Sequence, residues 1–310
     1  MSAFVPTTQP VGDGRPNDPR PLTLHRDVLL ATDASPAASA ATRVVAALAG
    51  RWSTTPHVCT VIPSQPTGID PIGVGMVYTP MVERQMREAV TDQLASCCAD
   101  SLAWSRETVV GAPASEIVRI ADACGSDLIV LGLRPHAFFD RLFRDETALS
   151  VMRHAPMPVL AVTPLLTRLP RRIAVAIDFS RASIAAARAA LTLLDDGGSL
   201  MLVYVEPPGE PTSPAAEGFT TIYTQGVAAA FTRLRSELAR RTNARIETVV
   251  LRGGVAAELQ SFAYRAEVDL LAVGSQRHSI ARHAIVGSVT SALARAATTS
   301  LLVIPPGRRA

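Results

Sequence analysis

The chain repeats itself, and no other feature constrains its fold as strongly. The stretch "GAPASEIVRIADACGSDLIVLG", Gly111 to Gly132, aligns with "GGVAAELQSFAYRAEVDLLAVG", Gly253 to Gly274, at a constant offset of 142 residues and without a gap. Glu116 falls opposite Glu258, Asp127 opposite Asp269 and Leu128 opposite Leu270. Upstream, "DVLLATDAS" falls opposite "RIAVAIDFS", which sets Asp33 against Asp178 at an offset of 145. One domain of roughly 140 residues has been copied once. The expected organisation is a tail over 1–25, whose Pro, Gly and Asp content reads as disordered, a first domain over 26–164, a linker at 165–170 and a second domain over 171–306.

Each copy alternates short apolar runs with longer helical patterns. The runs lie near 27–32, 57–62, 105–110, 127–132 and 157–163 in the first copy, and near 172–177, 199–205, 245–250, 268–274 and 300–304 in the second. Strands that are apolar at almost every position are buried on both faces, as in a parallel sheet covered by helices. The alternation predicts an α/β chain made of two doubly wound, five-stranded parallel-sheet domains of Rossmann-like type. The last strands, "PVLAVTP" and "SLLVIPP", are apolar edges that need cover. Pairing them would join the copies as an intrachain pseudo-dimer.

Composition removes several classes of function. Apolar residues make up 48% of the chain and charged residues 18%, enough for two cores. The net charge is only +3 and no basic run occurs, which argues against nucleic acid as a partner. All thirty basic residues are Arg, so a Gly-Lys-Ser/Thr phosphate loop and Schiff-base chemistry are both excluded. The four cysteines, Cys59, Cys97, Cys98 and Cys124, include no Cys-x-x-Cys pair and read as buried or idle thiols with no metal role. No apolar run has the length of a membrane span, and the N-terminus lacks the basic-then-apolar pattern of a secretory signal, so a cytoplasmic protein is expected.

In doubly wound sheets ligands gather beyond the carboxyl ends of the strands. The first strand of each copy ends in Asp33 or Asp178, followed by Ser35 or Ser180 at a helix start. Those serines read as N-caps, and the aspartates either support the cap or face a ribose or base edge. The second strands open into Pro- and Gly-rich stretches, expected as loops at 63–78 and 206–222, long enough to lid a pocket. The fourth strand of copy two leads into "VGSQRHSIARHAIVGS", with Gly274, Arg277, Arg282 and His283 ahead of Gly287-Ser288. A Gly-Ser at a helix start presents free N–H groups at the positive end of the helix dipole, which suits phosphate. His278 and His283 are the only candidates for a general base there, and loop histidines are usually solvated.

The segments "VLLATDAS", "GAPASEIVRIADACGSDLIVLG", "RHAPMPVLAVTP", "IAVAIDFS" and "VDLLAVGS" resemble the universal stress protein family in tandem form, over about 26–305. The resemblance implies a fold of the adenine nucleotide alpha hydrolase-like kind, a cytoplasmic role in stress survival and, in some members, ATP binding. Binders carry Gly-x2-Gly-x9-Gly-Ser/Thr after strand four. Copy two keeps Gly274 and Gly287-Ser288 at that spacing, with Arg277 in place of the second glycine. Copy one has Gly132, but Pro135 and then Asp145-Glu146 stand where the later glycines belong, on a loop with Phe138, Phe139 and Phe143. Two carboxylates in a cradle disfavour phosphate, so copy one is not expected to bind ATP. The resemblance assigns further contacts to Asp178 (ribose or base), the backbone near Val205 (adenine edge), Gly253 and the helix start at Ser288 and Val289. The expected function is a stress-response regulatory protein binding ATP, with Mg2+ as its companion, in copy two only and without rapid turnover. The alternatives are a nucleotide-free interaction or scaffold protein of the same fold, homodimeric or not, and an adenylyl-transferring ligase, for which the chain has little room.

Overall fold

In the computed structural model of the chain, residues 27–64, 74–134, 145–206, 214–275, 288–296 and 298–306 are described. Copy one contributes β1 (Val28–Ala31), α1 (Pro36–Trp52), β2 (His57–Pro63), α2 (Val74–Cys97), β3 (Ser105–Gly111), α3 (Pro113–Ala123), β4 (Leu128–Gly132), α4 (Asp145–His154) and β5 (Val159–Val162). Copy two contributes β6 (Arg172–Ala176), α5 (Arg181–Leu193), β7 (Ser199–Glu206), α6 (Pro214–Ala239), β8 (Arg245–Arg252), α7 (Val255–Arg265), β9 (Leu270–Gly274), α8 (Ser288–Arg295) and β10 (Ser300–Ile304). A 3₁₀ turn at Ala99–Ala103 follows α2.

The ten strands form one sheet in the order β3-β2-β1-β4-β5-β10-β9-β6-β7-β8. Each half reads 3-2-1-4-5 from its outer edge inward, and the halves mirror one another in sequence. Every pairing within a half is parallel. The junction is antiparallel, with Leu301 opposite Ala161, Leu302 opposite Leu160 and Val303 opposite Val159. The two apolar edges thus cover each other, and the pseudo-twofold axis falls on the Leu160–Leu302 pair. Ser300 Oγ, fully buried, accepts the Thr163 N–H at 3.1 Å and bonds the Thr163 hydroxyl at 3.1 Å, so the junction carries no unpaired polar group at this point.

Helices cover both faces. Apolar residues of α1, α2, α5 and α6 pack on one face of the sheet, and those of α3, α4, α7 and α8 on the other. Alanines dominate the buried side of α5, where Ala186, Ala187, Ala189 and Ala190 have no exposed area. Small side chains let that helix lie close to the strands. At the seam, the Arg51 guanidinium at the end of α1 donates to the Leu194 carbonyl at 2.7 Å and lies 3.2 Å from Asp196. It thereby satisfies a carbonyl at the end of α5 with a cation.

One expectation needs correction. The Pro- and Gly-rich stretches are shorter as loops than their composition suggests. Helix α2 begins at Val74 and α6 at Pro214, so 74–78 and 214–222 are helical. Propensity is a weak prior, and a long helix absorbs an internal Pro80 at the loss of one ladder bond. Of the four free cysteines, Cys59 is buried, Cys97 and Cys98 are half-buried and Cys124 is exposed. The residues of 1–26 lie outside the described ones, as does the reading made of them.

Candidate functional site

The carboxyl ends of β6, β7, β8 and β9 converge on one rim of copy two. Strand order reverses between β9 and β6, which are paired through Val175 and Ala272. That reversal is the switch point at which doubly wound sheets take ligands.

Asp178 lies two residues beyond β6. Its Oδ1 accepts the Ser180 N–H at 2.9 Å, and its own N–H donates to Ser183 Oγ at 3.3 Å. Burial is the largest influence on its carboxyl and pushes the pKa up. Hydrogen bonds from Ser180 and Ser183 outweigh it, so the net direction is down and the group stays ionised. Ser180 also caps α5 by accepting the Ser183 N–H. In copy one Ser35 caps α1 in the same way, and Asp33 accepts the Ser35 N–H at 3.0 Å. Both aspartates therefore serve the helix start, as the sequence pattern indicated.

Between Asp178 and Ser180, Phe179 holds a left-handed backbone at φ 60°. Its ring packs 5.6 Å from Tyr204 and 5.1 Å, edge to face, from Phe231. These ring contacts offset the strain of the backbone. Copy one has Ala34 at φ 58° in the same place, beside a polar network instead. There the Thr32 hydroxyl donates to Gln93 Oε1, and Gln93 Nε2 donates to the Ser35 carbonyl and Ser39 Oγ, each at 3.0 Å. Neither the strained residue nor the aromatic and polar supports were anticipated from sequence.

Val205 buries its side chain, yet β7 runs on past its last partner on β6, Ala176 opposite Val203. Only β8 flanks Val205 among the described residues, through Leu251. Such an overhang leaves the main chain at Val205 without a β6 ladder partner on that side. Gly253 has φ 137°, a conformation that L side chains rarely adopt, and a Cβ there would lie 3.0 Å from Glu258 Oε1. Gly274 ends β9 against the first turn of α5, where a Cβ would meet the Ala182 carbonyl carbon at 2.3 Å. Gly132 stands in the same relation to α1, with Ala37 and Ala38 main-chain atoms at 2.7 Å. These glycines thus have a packing reason in both copies, where sequence alone suggested a sharp turn and close approach of a ligand.

Helix α8 begins at Ser288, and no acidic residue occupies its first turn. Val289 is half-buried against the apolar face, so the start of α8 offers main-chain N–H groups that have no acceptor within the helix. Helix α4, at the corresponding place in copy one, opens with Asp145 and Glu146. The chemistry at copy two's helix start fits a triphosphate, and that at copy one does not. Arg277, Arg282, His278, His283 and Gly287 lie outside the described residues, as do Pro135, Phe138, Phe139 and Phe143. Among the described residues no group of His, Cys, Asp or Glu is placed to hold a metal ion, and no helix is long and apolar enough to cross a membrane.

Fold and topology together define a doubly wound α/β protein whose two halves share one ten-stranded sheet. The family model described as the universal stress protein family matches residues 25–163 and again 170–305. The chain belongs to the universal stress protein family and carries two of its domains in tandem. A comparison with curated proteins finds no match. Among solved structures, a universal stress protein from Archaeoglobus fulgidus DSM 4304 superposes with a TM-score of 0.66 at 17% identity, covering 92% of this chain and 100% of that one. A protein assigned to the same family from Pseudomonas aeruginosa UCBPP-PA14 gives 0.56 at 15% identity, covering 91% and 93%. A functionally unknown protein, PA1789 from Pseudomonas aeruginosa PAO1, gives 0.51 at 14% identity, covering 91% and 92%. At these identities the likeness is one of fold.

Proposed function

We propose that the protein is a stress-response regulator whose second domain binds ATP, with Mg2+ as companion ion, and holds it without rapid turnover. The observation that carries this reading is the contrast between two equivalent helix starts. Helix α8 presents a first turn free of carboxylates, whereas α4 opens with Asp145-Glu146. Asp178, kept ionised by its hydrogen bonds, would take a ribose or base edge, and the overhanging backbone at Val205 the adenine. Gly253, Gly274 and the start of α8 at Ser288 and Val289 would hold the phosphates with Gly287 and Arg277. A bound nucleotide supplies a charged switch that a partner can read, and the protein's own residues bind and orient it.

A second reading, a nucleotide-free scaffold, draws support from the glycines. Gly274 and Gly132 are equally required by packing, so Gly274 by itself does not argue for a ligand. Calorimetric titration with Mg-ATP decides. The reading expects binding by the parent, unchanged by Glu146→Ala and abolished by Gly287→Asp, which sets a carboxylate in the cradle. Arg277→Ala weakens binding by about 1.5–3 kcal/mol if the guanidinium makes a charge-assisted bond. If Arg277 instead fills the cradle, Arg277→Gly binds ATP where the parent does not. Absence of binding in the parent and in both Arg277 variants supports the scaffold.

A further inference from the structure

We propose that the groove between α6 and the edge strand β8 is a second binding site, for an amphipathic monoanion such as an aliphatic carboxylate. The inference does not rest on the nucleotide reading. The groove has a volume of about 590 Å³. Its floor is apolar: Val227 and Phe231 lie beneath it, and Val250 on β8 remains 49% exposed beside it. Phe231 is itself fixed edge-on by Phe179, so the floor is rigid.

The polar lining is asymmetric. At one end Glu206 and Arg252 neutralise each other at 2.8 Å. At the other, Arg235 projects from α6, and no described carboxylate pairs with it. Arginines on the adjoining elements α5 and β8 differ in this respect. Arg188 pairs with Glu237 at 2.7 Å and Arg245 with Glu247 at 2.8 Å. A guanidinium with no carboxylate partner among the described residues, set above an apolar floor, matches a single carboxylate followed by a hydrocarbon chain.

The repeat supplies an internal control. The strand register, with Cys59 opposite Glu107 and Val203 opposite Val249, together with the offset of 142 residues, places Arg106 of β3 at the position of Thr248 on β8. In copy one the Arg106 guanidinium spans the corresponding groove, donating to Thr91 Oγ1 and to the Ser101 carbonyl, each at 3.3 Å. That groove is reduced to about 390 Å³. Thr248, which lines the groove of copy two, is too short to make these bonds, and that groove is the larger.

The test is calorimetric titration of the full chain with decanoate and, separately, with decanol, both below their aggregation limits. Decanoate is expected to bind once per chain and more tightly than decanol. Arg235→Gln should weaken decanoate by about tenfold and leave decanol unchanged. Val250→Asp should abolish both, and its exposed position on an edge strand keeps the fold intact, as an unchanged melting temperature would verify. Equal decanoate binding by the parent and both variants overturns the proposal, as does decanol binding as tightly as decanoate, or no binding at all. Mg-ATP titrations of the same variants should match the parent, so failure of either site is seen separately.

Discussion

Replacing Gly274 by alanine should loosen the second domain whether or not a nucleotide is present. The added Cβ would lie 2.3 Å from the Ala182 carbonyl carbon, 2.5 Å from the Ser183 nitrogen and 2.6 Å from the Ala182 oxygen. The nearest of these is about 1.1 Å inside the 3.4 Å at which ordinary contact begins. All three are main-chain atoms, so no side chain can rotate aside. They belong to the first turn of a helix that Ser180 caps and whose alanines are buried on the sheet, so relief requires the whole of α5 to shift. Overpacking of this kind costs about 1–3 kcal/mol, and the rigidity here puts Gly274→Ala at the upper end, near 3 kcal/mol. For a domain of this size that lowers the melting temperature by about 6–12 °C. Gly132→Ala, with its nearest contacts at 2.7 Å, should cost less. Gly50→Ala, in α1 with nothing within 4 Å, should stabilise by about 0.5–1 kcal/mol. Thermal and urea unfolding of the three variants without nucleotide checks the order. A Gly274→Ala protein melting with the parent, or below Gly132→Ala in effect, would refute the packing account.

Removing the seam cation with Arg51→Ala should cost about 1 kcal/mol, because the Leu194 carbonyl loses its charged donor, whereas Asp196→Ala should leave urea unfolding unchanged. Asp178 has a depressed folded-state pKa, so its contribution to stability is complete above the ordinary carboxylate range and disappears as pH falls through the folded value. Asp178→Asn keeps the acceptor for Ser180 but not the charge. The stability gap between it and the parent should therefore be widest near neutral pH and close in acid, as urea midpoints across pH will show. Burial, with Glu107 adding to it, pushes the Cys59 thiol up to about 12, so Cys59 should resist a thiol reagent at pH 8 until the chain is unfolded, while the exposed Cys124 reacts first.

The strands were legible because a sheet covered on both faces demands runs such as "DLIVLG" and "DLLAVG" with almost no polar interruption. The seam followed from the same logic, since "VLAV" and "SLLVI" would be sticky edges if left open. Helix starts at Ser35 and Ser180 were legible because capping is a local device. The early starts of α2 and α6 were not, because a proline and glycines lower local propensity and only packing reveals the outcome. The reason for Gly274 was hidden too, since its partner Ala182 lies in another element, and the left-handed Phe179 depends on rings from β7 and α6. At the site, the spacing of Gly274 and Gly287-Ser288 pointed to the carboxyl rim of copy two, where the structure sets the ionised Asp178 and the overhang at Val205.

The antiparallel junction of β5 with β10 has a consequence for how the molecule meets others. Every strand of copy one runs opposite to every strand of copy two. The rim bearing Asp178 and the start of α8 is therefore continuous with the beginnings of copy one's strands, while Asp145-Glu146 open on the far rim. A partner resting on the rim of Asp178 and one resting on the rim of Asp145-Glu146 meet opposite margins of the sheet. The sheet therefore has two unlike margins, one formed by the carboxyl ends of copy two's strands and the other by those of copy one's, and a neighbour meets different chemistry on each.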